Sequence, residues 1–104
     1  MSGTVTFTTC KDRRQAATIA RALVKEKLAA CVNIVPAVAS IYLWEGKLEE
    51  GRETLLVIKS RAALSKKLTA RIKQLHSYSV PEVVTVRIAS GNADYLRWVR
   101  ESTR

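Results

Sequence analysis

The run from Cys31 to Trp44, CVNIVPAVASIYLW, limits the folding choices of this chain more than any other segment. Most of its fourteen residues are Val, Ile, Ala, Tyr or Trp, types that favour a pleated strand or are small enough to sit in one. Extended at roughly 3.3 Å per residue, the run spans about 46 Å. A compact domain of this size has a radius of gyration of about 13 Å and hence a diameter of about 33 Å. The strand is therefore expected to project beyond the body that carries it.

Regular alternation puts Cys31, Asn33, Val35, Ala37, Ala39, Ile41 and Leu43 on one face and Val32, Ile34, Pro36, Val38, Ser40, Tyr42 and Trp44 on the other. Neither face is polar. An antiparallel sheet covered by helices on one side normally leaves alternate residues hydrophilic, so two apolar faces call for a second cover, and another subunit is the natural source. Pro36 has no N–H to give a ladder and belongs on an edge strand or at a bulge. A long apolar edge without charges aggregates unless it is paired. The segment is read as an oligomer interface kinked at Pro36, with Ile41, Tyr42 and Trp44 among its contact residues.

The rest of the chain supplies a body for this strand. Val5 and Phe7 alternate with threonines from Thr4 to Thr9, as in a short half-buried strand. Asp12 followed by Gln15 has the form of a capping box. Ala16, Ile19, Ala20, Leu23, Val24 and Leu28 then recur at helical spacing, which predicts a helix from about 12 to 28. After the long strand come a turn at Glu45 and Gly46 and a second strand through Leu55 to Ile58, with polar Glu49 to Arg52 as a bulge or as the true turn. Ser60 is expected to cap a helix carrying Leu64, Leu68, Ile72 and Leu75. His76 to Pro81 reads as a loop, Glu82 to Ile88 as a strand, and Asn92 as the cap of a last helix with Tyr95, Leu96, Trp98 and Val99. The order β-α-β-β-α-β-α is that of an α+β, ferredoxin-like (split βαβ) sandwich with an antiparallel sheet, a long hairpin between its second and third strands and an extra C-terminal helix. In that topology the second strand lies at a sheet edge, where Pro36 independently requires it.

Length and composition bound the function. The 104 residues make one domain, and 47% hydrophobic with 26% charged residues is ordinary for a globular protein. No apolar run approaches the roughly 20 residues of a membrane span, and the first residues lack a basic stretch followed by a secretory apolar core; a cytoplasmic location is expected. Cys10 and Cys31 stand too far apart for a close zinc pair and are too few for a disulfide framework, so two free thiols are expected. The net charge of +9 is spread along helical segments, which predicts solvated basic faces and no specific nucleic-acid binding.

Few residues offer chemistry. Cys31 opens the long strand, and His76, Tyr78 and Glu82 cluster before the last strand. Thiolate, imidazole and carboxylate are transition-metal ligands, the first two suited to copper or zinc. A buried cysteine is also a common core residue, and a histidine after a helix often only meets its last carbonyls. There is no glycine-rich phosphate loop, no nucleophile elbow and a single histidine, so no enzymatic activity is expected. Glu49, Glu50 and Glu53 read as a solvated hairpin tip.

Several motifs together resemble one family. They are AACVNIVP at 29–36, SIYLWEGK at 40–47, LLVIK at 55–59, HSYSVPE at 76–82 and GNADYLRWV at 91–99, and they resemble the CutA divalent-cation-tolerance family over essentially the whole chain. The resemblance implies a homotrimer of ferredoxin-like subunits whose long hairpins pair across subunits and leave clefts between them. It further implies a role in tolerance of divalent metals, with copper or another divalent ion bound at Cys31, His76 and Glu82 and Tyr78 beside a ligand cleft. Three positions depart from the family pattern: Ser77 replaces its proline, Ser79 its glutamate, and Ala37 the glycine that many relatives carry after the strand proline. The competing expectation is a PII-like trimeric sensor that binds a small molecule in its intersubunit clefts.

Overall fold

In the computed structural model, which describes residues 2–104, the β-branched segments form four strands and the apolar-striped segments three helices. The order is β1 (Gly3–Cys10), α1 (Arg13–Lys25), β2 (Cys31–Trp44), β3 (Lys47–Arg61), a 3-10 turn (Ala62–Leu64), α2 (Ser65–Leu75), β4 (Val84–Arg87) and α3 (Ala93–Ser102). All pairings are antiparallel and the sheet order is β2-β3-β1-β4, which puts β2 and its Pro36 at an edge. The molecule measures 44 × 25 × 23 Å, elongated because the hairpin runs past the body as its length required.

The core lies between the sheet and α1 with α2. Ile19 and Leu23 of α1, Leu68 and Ile72 of α2, and Leu56 and Ile58 of β3 are fully buried, with Val32 and Ile34 of β2 packed against them. Asp12 accepts from the Gln15 N–H and starts α1. The helix ends earlier than the apolar stripe suggested. Lys27 adopts φ +61°, and the Leu28 N–H returns to the Leu23 carbonyl at 2.9 Å, a left-handed terminus that leaves Leu28 outside the helix but still against the core.

Other expectations are corrected. Ser60 does not cap α2: it remains in β3, fully buried, and its hydroxyl donates to the Leu28 carbonyl at 2.7 Å, while a 3-10 turn leads into the helix. The last strand is shorter than 82–88, and the polar stretch Glu49 to Arg52 is neither bulge nor turn but continuous β3, paired with β2 out to Trp44↔Lys47. The turn is at Glu45 and Gly46, with φ +50° and +80°, the double left-handed pair that suits the twist of a tight hairpin.

The irregularity lies at Pro36. Val35 pairs with Leu55 but Val38 with Glu53, so two β2 residues oppose Thr54 alone, and Ala37 takes φ +60°. This extra residue exchanges the faces of the strand. Cys31, Asn33 and Val35 therefore share a side with Val38, Ser40, Tyr42 and Trp44, not with Ile41 and Leu43 as unbroken alternation gave. β1 also turns over relative to simple expectation, because Thr4, Thr6 and Thr8 lie buried beneath the helices while Val5 and Phe7 face the other side. Thr6 meets Thr85 through their hydroxyls at 2.7 Å. On that second side α3 covers one end, with Leu96 where a Cβ on Gly3 would point and Thr103 held by Arg61. Asn92 caps α3 by accepting from the Asp94 and Tyr95 N–H groups.

Candidate functional site

Where the hairpin leaves the body, the bulge turns Ser40, Tyr42 and Trp44 toward the loop that precedes β4. Together with Thr9, Glu49, Glu53, Tyr78, Ser79, Val80 and Glu82 they line a cleft of about 620 Å³. The pairing explains its walls. Val38 lies opposite Glu53, Ser40 opposite Gly51 and Tyr42 opposite Glu49, so Glu49 and Glu53 share one face of β3 with Ser40 and Tyr42 beside them.

The loop wall is fixed by His76. The Tyr78 backbone N–H donates to Nδ1 at 3.1 Å, which leaves the ring proton on Nε2 to donate to the Thr9 carbonyl at 2.8 Å. Both nitrogens of this buried ring are thus occupied. The Ser77 N–H donates to the Gln15 side chain at 2.8 Å, an anchor for the loop that a proline at this position could not make. The Tyr78 ring lies 4.7 Å from the imidazole, and its hydroxyl donates to Glu53 Oε2 at 2.7 Å. Burial first, and then this bond to Glu53, push the Tyr78 phenol well above the ordinary tyrosine range. The neutral, donating phenol is the form the site holds. Cys10 behind it is pushed up to about 11, by burial first and then by Glu53 and Asp12, which makes it an inert core thiol.

The expected metal residues do not converge within one chain. Tyr78 and Glu82 line the cleft and His76 backs it. Cys31 pairs with Lys59, four residues along β3 from the Leu55 that pairs with Thr9, and two strands across. That separates the Cys31 and Thr9 backbones by roughly 16 Å. Cys31 lies instead beside Tyr95 of α3, whose phenol is raised by burial first and then by the thiol. Among the described residues no three His, Cys, Asp or Glu side chains are grouped to hold a metal ion. The donor set of a single chain therefore does not fit a transition metal. Sequence reading missed Glu49 and Glu53 as cleft residues, because glutamates in a polar hairpin look solvated until the register and the loop set them beside Tyr42 and Tyr78. Of the expected interface residues, Ile41, Tyr42 and Trp44 are exposed, and Pro36 is exposed at the bulge.

Comparison with known proteins agrees over the full length. A Thermus thermophilus protein described as divalent-cation tolerance protein CutA is 50% identical over 99 residues, covering 95% of this chain and 96% of that one. Human protein CutA is 45% identical over 97 residues, 93% of this chain but 54% of its own, so the chain spans about half the length of that relative. Among solved structures, CutA1 from Oryza sativa has a TM-score of 0.97 at 43% identity over 100% of this chain and 95% of that one. The Thermus thermophilus Cut A1 structure has a TM-score of 0.95 at 49% identity over 98% and 99%. Residues 4–102 match the family described as CutA1 divalent ion tolerance protein, and with that coverage the chain belongs to the CutA1 divalent ion tolerance family.

Proposed function

We propose that the protein serves divalent-cation tolerance as a homotrimer, catalysing no reaction and binding copper or another divalent ion at a boundary between subunits. One observation carries the assembly: Leu43 and Leu48 are each 72% exposed and Trp44 is 52% exposed, on an arm that no other part of the described chain covers. Apolar side chains concentrated this way on a projecting edge mark an interaction surface. The relatives named as divalent-cation tolerance proteins support the metal role, and the wide spacing of Cys31 from the Thr9 end of the cleft within one chain favours an ion shared between chains. His76 would have to release the Thr9 carbonyl or the Tyr78 N–H to join it. Nothing in these relatives favours a PII-like sensor.

Light scattering coupled to size exclusion tests the assembly. The expected mass is three times the 11.6 kDa of the chain, and Trp44→Asp, which sets a charge at a desolvated anchor, should reduce it. Calorimetric titration with copper tests the site. Cys31→Ser and Glu82→Gln should each weaken binding, with the double variant little worse than either, because residues of one site are non-additive. Copper bound with unchanged affinity by the Trp44→Asp monomer would remove the subunit boundary from this reading.

A further inference from the structure

The fold gathers charge that the chain spreads over two segments. Residues 11–27 and 66–73, which are α1, most of α2 and their flanks, hold ten of the eighteen cations and two of the nine anions, a net +8 out of +9. Both anions are already engaged: the Asp12 carboxylate caps α1, and Glu26 is paired with Arg71 at 2.8 Å. The other nine cations are exposed, and none has an ion-pair partner among the described residues. Because α1 and α2 cover the same face of the sheet, these cations make one layer on the side away from α3.

Within the layer the charges form rows. Ala16, Ile19, Ala20 and Leu23 are the buried stripe of α1, which puts Arg14, Arg21 and Lys25 on its outer ridge; buried Leu68 and Ile72 do the same for Lys66 and Lys73 of α2. Arg14 to Arg21 and Lys66 to Lys73 are each two helical turns, about 10.5 Å along the axis. Ser65 and Thr69 stand beside Lys66 and Lys73 in an open groove of about 460 Å³ between α2 and β4 that holds no carboxylate. Hydroxyls in such a place donate to phosphate oxygens.

The partner follows from what the layer does not carry. It has no Phe, Tyr or Trp to stack on unpaired bases. Val24 is its one exposed large hydrophobic side chain, and the apolar stripes of both helices face the core, so nothing is left to insert into a bilayer or to anchor a protein interface. A rigid surface that attracts through charge alone suits a rigid partner with dense, fixed charge. A nucleic-acid duplex presents one phosphate charge per about 1.7 Å of axis, hence about twelve along the roughly 20 Å of α1. We propose that the layer formed by α1 and α2 docks the phosphate backbone of a nucleic-acid duplex without reading its sequence. The layer lies apart from the hairpin arm and from the cleft, so the proposal does not rest on the metal reading or on the assembly.

The test is fluorescence anisotropy of a labelled DNA duplex titrated with the full chain at salt between 50 and 200 mM, with the mass of each variant read by light scattering. The logarithm of the association constant should fall with that of salt at a slope of about −4.5, for the five ridge cations. Duplexes of unrelated sequence should bind within about twofold of one another. Arg14→Gln with Arg21→Gln, and Lys66→Gln with Lys73→Gln, should each weaken binding at least about tenfold at low salt and make the slope shallower by about 2. Arg97→Gln with Arg104→Gln removes as much charge from exposed residues at the α3 end and should leave the slope unchanged and the affinity within about twofold. Equal losses in this control and in the ridge pairs would overturn the proposal, because the attraction would then belong to the whole basic molecule. Tighter binding to vesicles of phosphatidylserine and phosphatidylcholine than to the duplex at the same salt would overturn it in favour of a membrane. A preference above about tenfold for one duplex sequence would do so in favour of base readout, and no binding at the lowest salt by the natively assembled chain refutes it.

Discussion

The root and the arm of the hairpin are the same pair of strands under opposite conditions. In the root, Cys31–Val35 against Leu55–Lys59, Leu56 and Ile58 are fully buried and Val32 and Ile34 pack on the core. In the arm, beyond the bulge, every residue from Ile41 to Glu50 is exposed, although the ladder continues unbroken from Val38↔Glu53 to Trp44↔Lys47. The sequence of β2 is equally apolar in both halves. Backbone pairing and a tight turn are enough to extend the strands, but only the root returns the free energy of burial to its own chain; the arm holds its apolar side chains for something outside it.

Truncating one side chain in each half breaks the comparison most severely. Leu56→Ala removes a fully buried side chain and should cost about 2–5 kcal/mol. Leu48→Ala, on the arm, should cost about 0.5 kcal/mol or less in an isolated chain. In an assembled protein its cost should instead grow with protein concentration, because association stabilises by mass action. Urea unfolding at two concentrations distinguishes these cases. A large, concentration-independent loss in Leu48→Ala would mean that the chain covers its own arm.

The boundary itself offers a smaller change of opposite sign. Ala37 occupies a left-handed φ of +60°, which costs a residue with a Cβ about 1–2 kcal/mol. Glycine there relieves that strain but loses about 0.5–1 kcal/mol through the freer unfolded chain. Ala37→Gly should therefore stabilise the protein by about 0.5–1 kcal/mol while loosening the joint. Hydrogen exchange should quicken in the arm and not in the root; equal quickening in both halves would show that the bulge does not divide them.

How much of this was legible depended on whether the signal was local. The β2 limits, the Glu45 and Gly46 turn, the edge position required by Pro36 and the Asn92 cap all follow from residue chemistry at the position concerned. Pro36 also announced an irregularity. It did not announce that one extra residue would exchange the faces and carry Tyr42 and Trp44 into the cleft, because that count depends on the partner strand. Ser60 failed as a cap for a similar reason: buried in β3, its hydroxyl found the Leu28 carbonyl before any helix began. The threonines of β1 look like a solvent face, yet the helices pack on them, since Val5 and Phe7 belong to a second face that α3 covers only at one end. Glu53 became a site residue only when the loop delivered Tyr78 to it.

That contact joins the body to the first residue of the arm, and alkaline pH sharpens the comparison through it, with the smallest expected effect. Tyr78 has a phenol raised above its ordinary value, by burial first and then by its bond to Glu53, so the fold holds a proton that the unfolded chain releases at about pH 10. Stability from this group is fully present below that pH and is lost as pH rises toward the folded value. Cys10, pushed up to about 11 from a reference of 9.0, acts in the same direction from about pH 9. The denaturant midpoint should therefore fall between about pH 9 and pH 11. Tyr78→Phe removes the tyrosine part, so above about pH 10 its midpoint should fall less steeply than that of the wild type, while below pH 9 it should lie slightly lower for the lost hydrogen bond. Hydrogen exchange across pH 9 to 11 then locates the change. Arm amides next to Glu53 should lose protection before those paired with Leu56 and Ile58; simultaneous loss would mean that the Tyr78 bond anchors the whole sheet and not the base of the arm.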